Sequence, residues 1–209
     1  MHKLITAMLL STALVLGACS RHHADLERGM TAYRNGDYAA ALKELKPLAE
    51  DGNPQAQFQL AWMHREGQGL PPDDVQMAKW MRKSAEQGYV EAQYHLAELY
   101  ARGFGVRENP AQALQWFIKA ADQGHARSQF NAGEMYAYGG QGVKKDVVAA
   151  YALYSLSAKG GDASLGNSGE LALDILSRKM LQDEVEAGKA LASHMTSAGN
   201  TPSKVLAQR

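Results

Sequence analysis

The segment GFGVRENPAQALQWFIKAADQG, residues 103–124, decides the fold of this chain. A glycine-rich loop that opens onto a helix can hold a phosphate group on its free backbone amides, or it can end one helix and begin the next. A dinucleotide-binding loop needs a preceding strand and a third glycine, and a nucleoside-triphosphate loop needs a Gly-Lys-Ser or Gly-Lys-Thr sequence. The segment has neither pattern, and it therefore predicts a joint between two helices.

The segment is one copy of a longer repeat. Three related nonapeptides follow one another at steps of 36 residues: AQFQLAWMH (56–64), AQYHLAELY (92–100) and SQFNAGEMY (128–136). A second motif has nearly the same period, with its third copy 37 residues after the second: KWMRKSAEQG (79–88), QWFIKAADQG (115–124) and ALYSLSAKGG (152–161). Several sequence columns that share one period indicate a repeat array.

Each repeat is predicted to contain two helices. In the first helix, apolar or small residues recur at offsets 0, 4, 5 and 8 from the start of the nonapeptide, which places them on one face. A residue that can cap the second helix follows the loop glycines in every repeat: Asp73, Asn109 and Asp146. A glycine is expected to end the second helix at Gly88, Gly124 and Gly161.

These repeats predict an all-α fold, a right-handed α-solenoid of stacked antiparallel helix pairs over residues 24–195. We expect helix pairs at about 24–52, 53–88, 89–124 and 125–161, followed by two more highly charged capping helices at 163–195. Residues 196–209 contain Gly, Pro, Ser and Asn without periodicity, which predicts a flexible tail.

The repeats resemble Sel-1-like repeats, relatives of the tetratricopeptide repeat with a longer loop between the two helices. The second full repeat matches the family pattern at twelve positions: Ala92, Leu96, Tyr100, Gly103, Gly105, Val106, Asn109, Trp116, Lys119, Ala120, Ala121 and Gly124. The chain departs from the pattern at Ala97, at His64 in the first full repeat and at Leu153 in the third. The resemblance implies a protein-binding scaffold, although some members are described as binding or hydrolysing β-lactams.

The N-terminus has the features of an export signal. A basic start, Met1-His2-Lys3, precedes the uncharged apolar run of residues 4–16, which is too short to cross a bilayer comfortably as a mature helix. The only cysteine, Cys19, follows directly and cannot form an internal disulfide. We expect a signal peptide at 1–18, followed by Cys19 and a short tether at 19–23.

The sequence around Cys19 resembles the lipobox of bacterial lipoproteins. The residues that carry the resemblance are Leu16-Gly17-Ala18-Cys19. It implies cleavage before Cys19 and lipidation of that residue, and Ser20 in the next position implies sorting to the outer membrane. The alternative is an ordinary signal peptide with an incidental thiol.

Composition and motifs give no support for nucleic-acid binding or catalysis. Acidic and basic residues number 22 each, so the chain has no large net field to attract nucleic acid. The sequence lacks the Ser-x-x-Lys and Gly-x-Ser-x-Gly patterns of activated serines and the His-Glu-x-x-His spacing of a zinc site. We therefore expect no enzyme, no catalytic residues, no cofactor and no bound metal.

A surface remains as the candidate site. Residues at offsets 3, 6, 7 and 10 of the first helices are expected to point away from the core and to line a concave groove. These partner-binding candidates are Gln59, Trp62, Met63, Glu66, His95, Glu98, Leu99, Arg102, Asn131, Glu134, Met135 and Tyr138. They combine hydrogen-bonding groups with large apolar ones, as interaction hot spots do.

The sequence as a whole predicts a non-enzymatic scaffold that is lipid-anchored in the bacterial envelope, at the outer membrane and facing the periplasm. It would hold a peptide or protein partner in the groove and assist the assembly of an envelope complex. Inner-membrane placement and display on the cell surface stay open as alternatives for its location. Two other functions also stay open: an envelope enzyme or receptor that acts on peptidoglycan or β-lactams, and a surface-exposed binder of a host protein.

Overall fold

The computed structural model describes residues 23–160 and 163–208 of the 209-residue chain. The predicted signal peptide, Cys19 and Gly161 lie outside these residues. Within them the chain forms eleven helices and no β-strand, which confirms the all-α fold class. None of the described helices combines the length and the apolar character needed to cross a membrane. The chain divides into two compact units, one ending at Gln87 and the other beginning at Gly88.

The first unit contains four described helices: α1 (residues 23–34), α2 (Tyr38–Glu50), α3 (Pro54–Glu66) and α4 (Asp74–Glu86). Helix α3 packs against both α2 and α4. The largest side chains that are fully buried in this unit are Leu45, Leu60, Met63, Met77 and Met81. Helices α3 and α4 form the first full repeat.

The second unit contains seven described helices: α5 (Val90–Arg102), α6 (Pro110–Asp122), α7 (Ala126–Tyr138), α8 (Val147–Lys159), α9 (Ala163–Ser177), α10 (Gln182–Thr196) and α11 (Pro202–Leu206). Helices α5 and α6 form one pair and α7 and α8 the next, with α6 packed against α7. Helix α8 also packs against α9 and α10, so the last repeat is covered by helices that lie outside the 36-residue pattern.

The same short-range chemistry builds every joint between the two helices of a repeat. The side chains of Asp73, Asn109 and Asp146 each accept a hydrogen bond from a backbone N–H in the first turn of the following helix, as predicted. The backbone N–H of Asn109 donates to the Tyr100 carbonyl at 2.8 Å, and equivalent bonds to the preceding helix are made by Asp73 and Asp146. The cap residues therefore tie the two helices together.

Glycine is required at the end of α5 because of its backbone conformation. Gly103 has a φ of 71°, in the left-handed region, and its N–H donates to the Leu99 carbonyl. Gly105 has a φ of 64° and belongs to the same turn. The segment quoted at the outset is thus a helix-ending turn followed by a capped helix, which confirms the predicted joint.

The prediction of a flexible tail at 196–209 is wrong for most of that segment. Residues 202–206 form α11, which Thr201 caps and in which Pro202 is the first helical residue. Val205 is buried against α8 and α10 together with Leu156 and Met195. The backbone N–H of Ser203 donates to the Asp122 carboxylate at 2.8 Å, which ties this segment to α6. A five-residue helix is too short for hydrophobic periodicity to reveal it.

Candidate functional site

The structure places three of the predicted groove residues inside the protein. Met63 is 0% exposed, Leu99 4% and Gln59 7%, so the prediction that they point outward is wrong. The error at Met63 and Leu99 is geometric. At 100° per residue, offset 7 lies at 700°, only about 20° from offset 0 on the core face. Met135, at the same offset in the third repeat, is half-buried.

The other nine predicted residues have accessible surface. Glu66, Arg102 and Tyr138, all at offset 10, are exposed, as is Glu134. The remaining five are half-buried: Trp62, His95, Glu98, Asn131 and Met135. Their role in partner binding stays a prediction.

In the first unit, Trp62 is held by its own helix. Its ring makes an edge-to-face contact with Phe58, with ring centroids 6.1 Å apart. The guanidinium of Arg65 lies 5.1 Å from the centroid of the Trp62 ring. An aromatic ring stacked by a cation and still partly accessible is a common component of protein-binding surfaces. Trp62 therefore offers a preformed contact on α3.

In the second unit, a hydrogen-bonded cluster lies on α5. The Tyr94 hydroxyl donates to one Glu98 carboxylate oxygen at 3.0 Å, and His95 Nδ1 lies 2.9 Å from the other. Burial raises the pKa of Glu98, but the hydrogen bonds and charge of its neighbours outweigh that effect and lower it overall. Glu98 is therefore an anion held in place by its neighbours, which suits a binding surface better than proton transfer.

A small polar cavity of about 370 Å³ adjoins this cluster. Its lining includes Tyr94, His95, His125 and Arg127, from α5 and from the start of α7. The His125 ring packs against Tyr94, with centroids 4.9 Å apart, and burial lowers its pKa. His125 Nδ1 also caps α7 by accepting the Ser128 N–H at 3.2 Å. These contacts give both rings structural roles.

An opening with a volume of about 460 Å³ lies between α7, α8 and α9, and we call it the α7–α9 pocket. Helix α7 contributes Phe130, Glu134, Ala137 and Tyr138; the loop before α8 contributes Lys145; α8 contributes Val147 and Tyr154; and the segment from α9 onward contributes Ser168, Leu171, Ala172, Ile175, Leu176, Lys179 and Met180. Tyr154 fits closely because its neighbour on α7 is Gly133, where an added Cβ would lie 2.8 Å from the Tyr154 ring.

The α7–α9 pocket leaves large apolar side chains open to solvent. Tyr138 is 80% exposed, Leu171 60% and Ile175 47%. Contiguous exposed apolar surface in a protein of this size often marks an interaction site. Glu134 and Tyr138 were predicted from the sequence, whereas Leu171 and Ile175 were missed. The motif LALDIL (171–176) indicated these two exposed residues, because it contains more apolar side chains than one face of α9 can bury.

Among the described residues, no group of three or more His, Cys, Asp or Glu side chains is arranged to hold a metal ion. The side chains at these two sites form contact surfaces. The surface is mainly apolar in the α7–α9 pocket and polar on α5.

Comparison with known proteins agrees with the repeat boundaries. The model of the Sel1 repeat family matches residues 54–89, 90–125 and 126–162, which correspond to the pairs α3–α4, α5–α6 and α7–α8. No curated protein has detectable sequence similarity to the chain.

Two solved structures are similar. A Sel1 repeat protein from Oxalobacter formigenes shares 29% identity over 68% of this chain and 56% of its own, with a TM-score of 0.61. A protective antigen of uropathogenic Escherichia coli strains, described as displaying an SLR fold, shares 24% identity over 90% of this chain and 47% of its own, with a TM-score of 0.49. The chain thus spans about half the length of these two proteins.

Proteins built from Sel1 repeats generally mediate protein–protein interactions, and the repeat is typically a non-enzymatic scaffold. The three matches cover more than half of this chain, and each coincides with one observed helix pair. The chain belongs to the Sel1 repeat family.

Proposed function

We propose that this protein is a non-enzymatic scaffold of the bacterial envelope, anchored at the outer membrane through a lipidated Cys19 and facing the periplasm. It holds a peptide or protein partner and thereby assists the assembly of an envelope complex. The observation that carries the binding role is the α7–α9 pocket, in which Tyr138, Leu171 and Ile175 expose apolar surface that the described part of the chain leaves uncovered.

The α5 cluster supports the same role with different chemistry. Glu98 and its partners present fixed hydrogen-bonding groups, and Arg102 lies 4.0 Å from Glu98 with its side chain largely exposed. Apolar surface together with polar and charged groups is the usual composition of a protein-binding surface.

The N-terminal sequence supports the proposed anchor. The first described residue of α1 is residue 23, and three residues separate it from Cys19 in the sequence. At most about 3.6 Å per residue, that length keeps α1 within roughly 15 Å of the anchored residue. A protein held so close to the membrane would meet membrane-embedded or membrane-attached partners.

Site-specific photo-crosslinking in intact cells tests the proposal. A photoreactive residue at position 138 or 171 should capture one defined envelope protein, identified by mass spectrometry. The matched controls are Phe104 and Val75, which are also exposed and apolar but are not among the residues that line the pocket. Equal capture from the control positions, or capture of nothing at any position on either unit, would contradict the scaffold function.

A further inference from the structure

The α7–α9 pocket carries information about the chemistry of its occupant. Its volume of about 460 Å³ accommodates two or three side chains but not a folded domain. The walls are supplied by three helices of one compact unit, and apolar side chains dominate them. Such a site takes a short projecting segment of a partner, with one large apolar side chain as its anchor.

One carboxylate lies among these apolar walls. Glu134 is on α7. Phe130 lies one helical turn before it and Tyr138 one turn after it, on the same face of the helix. Burial raises the pKa of Glu134; it also raises the pKa of the Tyr154 phenol, to which the Glu134 charge adds. The carboxylate therefore lies near Tyr154 and is partly shielded from water.

The described residues leave this carboxylate without an ion pair. Lys145 and Lys179 also line the pocket, but neither forms a salt bridge with Glu134 within 4.0 Å. Both lysines are exposed, as Glu134 is, and their long stems let the ammonium groups stay in water. Glu134 is the one acidic side chain among the residues that line the pocket, and a cationic residue of a partner can pair with it there.

We infer that the α7–α9 pocket binds a basic, apolar peptide segment of the partner: one large aliphatic or aromatic side chain packs against Leu171 and Ile175, and an adjacent lysine or arginine pairs with Glu134. This inference rests on the proposed scaffold function and names the partner chemistry of that site. Tyr138 adds an exposed ring on which the stem or head of the cationic side chain can stack.

Selection from a random library of 12-residue peptides displayed on phage tests this inference directly on the purified protein. Enriched peptides should share a lysine or arginine within one or two residues of Leu, Ile, Met, Phe or Trp. Synthetic copies of these peptides, measured by fluorescence anisotropy, should bind about tenfold more weakly to Leu171→Ser and to Glu134→Lys. Glu134→Gln should weaken binding by a smaller factor of roughly three to five.

Two controls separate the pocket from the rest of the surface. Phe104→Ser and Glu108→Gln change an exposed apolar and an exposed acidic residue elsewhere in the same unit and should leave affinity within about twofold. Charge reversal gives the sharpest readout. A peptide in which the basic residue is replaced by Glu should bind Glu134→Lys better than it binds the unmodified protein.

Each remaining outcome overturns the inference. Enrichment of acidic or uncharged peptides, enrichment of none, or binding that Glu134→Lys and Leu171→Ser leave unchanged would show that the occupant has other chemistry. Displacement of the selected peptides by laurate alone would assign the pocket to an anionic lipid paired with Lys145 or Lys179. In these cases a defined crosslink from position 138 would still support the scaffold, whereas its absence would remove both proposals.

Discussion

Gln87 donates a hydrogen bond of 2.7 Å from its Nε2 to the Oε1 of Gln57, a residue that is buried on α3. The next repeat makes the same bond at the equivalent positions, from Gln123 to Gln93 at 2.8 Å. The third repeat does not, because Gly160 occupies the place of the donor glutamine. Gln129 Oε1 is accordingly buried without a hydrogen-bond partner among the described residues.

This difference predicts opposite effects of two substitutions on stability. Gln87→Ala removes the donor to a buried oxygen and should lower the free energy of unfolding by about 1 kcal/mol. Gln129→Met removes an oxygen that already lacks a donor, and its Nε2 donates only at 3.4 Å to the Ala121 carbonyl, which also accepts the Gly124 N–H. We expect Gln129→Met to be neutral or stabilising. Urea denaturation measures both, and equal losses would contradict the assignment.

Stability should fall as the pH falls below about 6.5, in part because of His125. Burial lowers the pKa of folded His125, so the unfolded chain binds a proton at higher pH than the native protein does. The stability that neutral His125 contributes is present above the unfolded pKa and is lost as the pH falls toward the lowered folded pKa. The slope from one such group reaches at most about 1.4 kcal/mol per pH unit.

The variant His125→Asn should reduce that slope while it keeps the helix cap. Asn can accept the Ser128 N–H but does not titrate. His194→Asn is the matched control, because it makes the same exchange at an exposed side chain. Thermal melting between pH 5 and pH 8 tests this, and an unaltered slope in His125→Asn would show that other groups dominate.

Helix α11 should contribute measurably to the stability of the second unit. Val205→Ser exchanges a buried apolar side chain for a polar one and should cost about 1–3 kcal/mol in the free energy of unfolding. Ala207→Ser, two residues on and exposed, should change it by less than about 0.5 kcal/mol. If limited proteolysis cleaves both variants and the unmodified protein at the same rate near residue 202, the packing of α11 is not stabilising.

Cys19→Ala should release the protein from the membrane fraction, since the proposed anchor depends on that thiol. Mass spectrometry of the unmodified protein should find acyl groups on an N-terminal Cys19 after removal of residues 1–18. Ser20→Asp is the informative companion, because it should keep the lipid but move the protein from the outer to the inner membrane. Membrane association that survives Cys19→Ala would contradict lipid anchoring.

Local sequence chemistry accounts for the parts of the fold that were predictable. Asp73, Asn109 and Asp146 cap helices through bonds to residues two or three positions away, so their role is independent of tertiary structure. The repeat period was visible because several columns recur together. The prediction failed at Met63 and Leu99 because offset 7 of the nonapeptide falls on the core face of the helix, and both side chains are therefore buried.

The candidate site was less accessible from sequence because it depends on long-range packing. Leu171 and Ile175 belong to α9, outside the repeats, and only the placement of α9 beside α7 and α8 brings them to Glu134 and Tyr138. Val205 was missed for a related reason. Its burial depends on packing against Leu156 of α8 and Met195 of α10, which a short apolar segment does not reveal.

The glycine at position 160 bears on how such an array can grow. Residues 90–125 include both Gln93 and Gln123. A tandem copy of this segment would therefore form its own hydrogen bond between the two glutamines, regardless of the sequence that follows. A tandem copy of the third repeat would instead add one uncompensated buried oxygen with every insertion. Duplication of residues 90–125 should therefore cost less stability than duplication of the third repeat, because Gly160 cannot supply the missing donor.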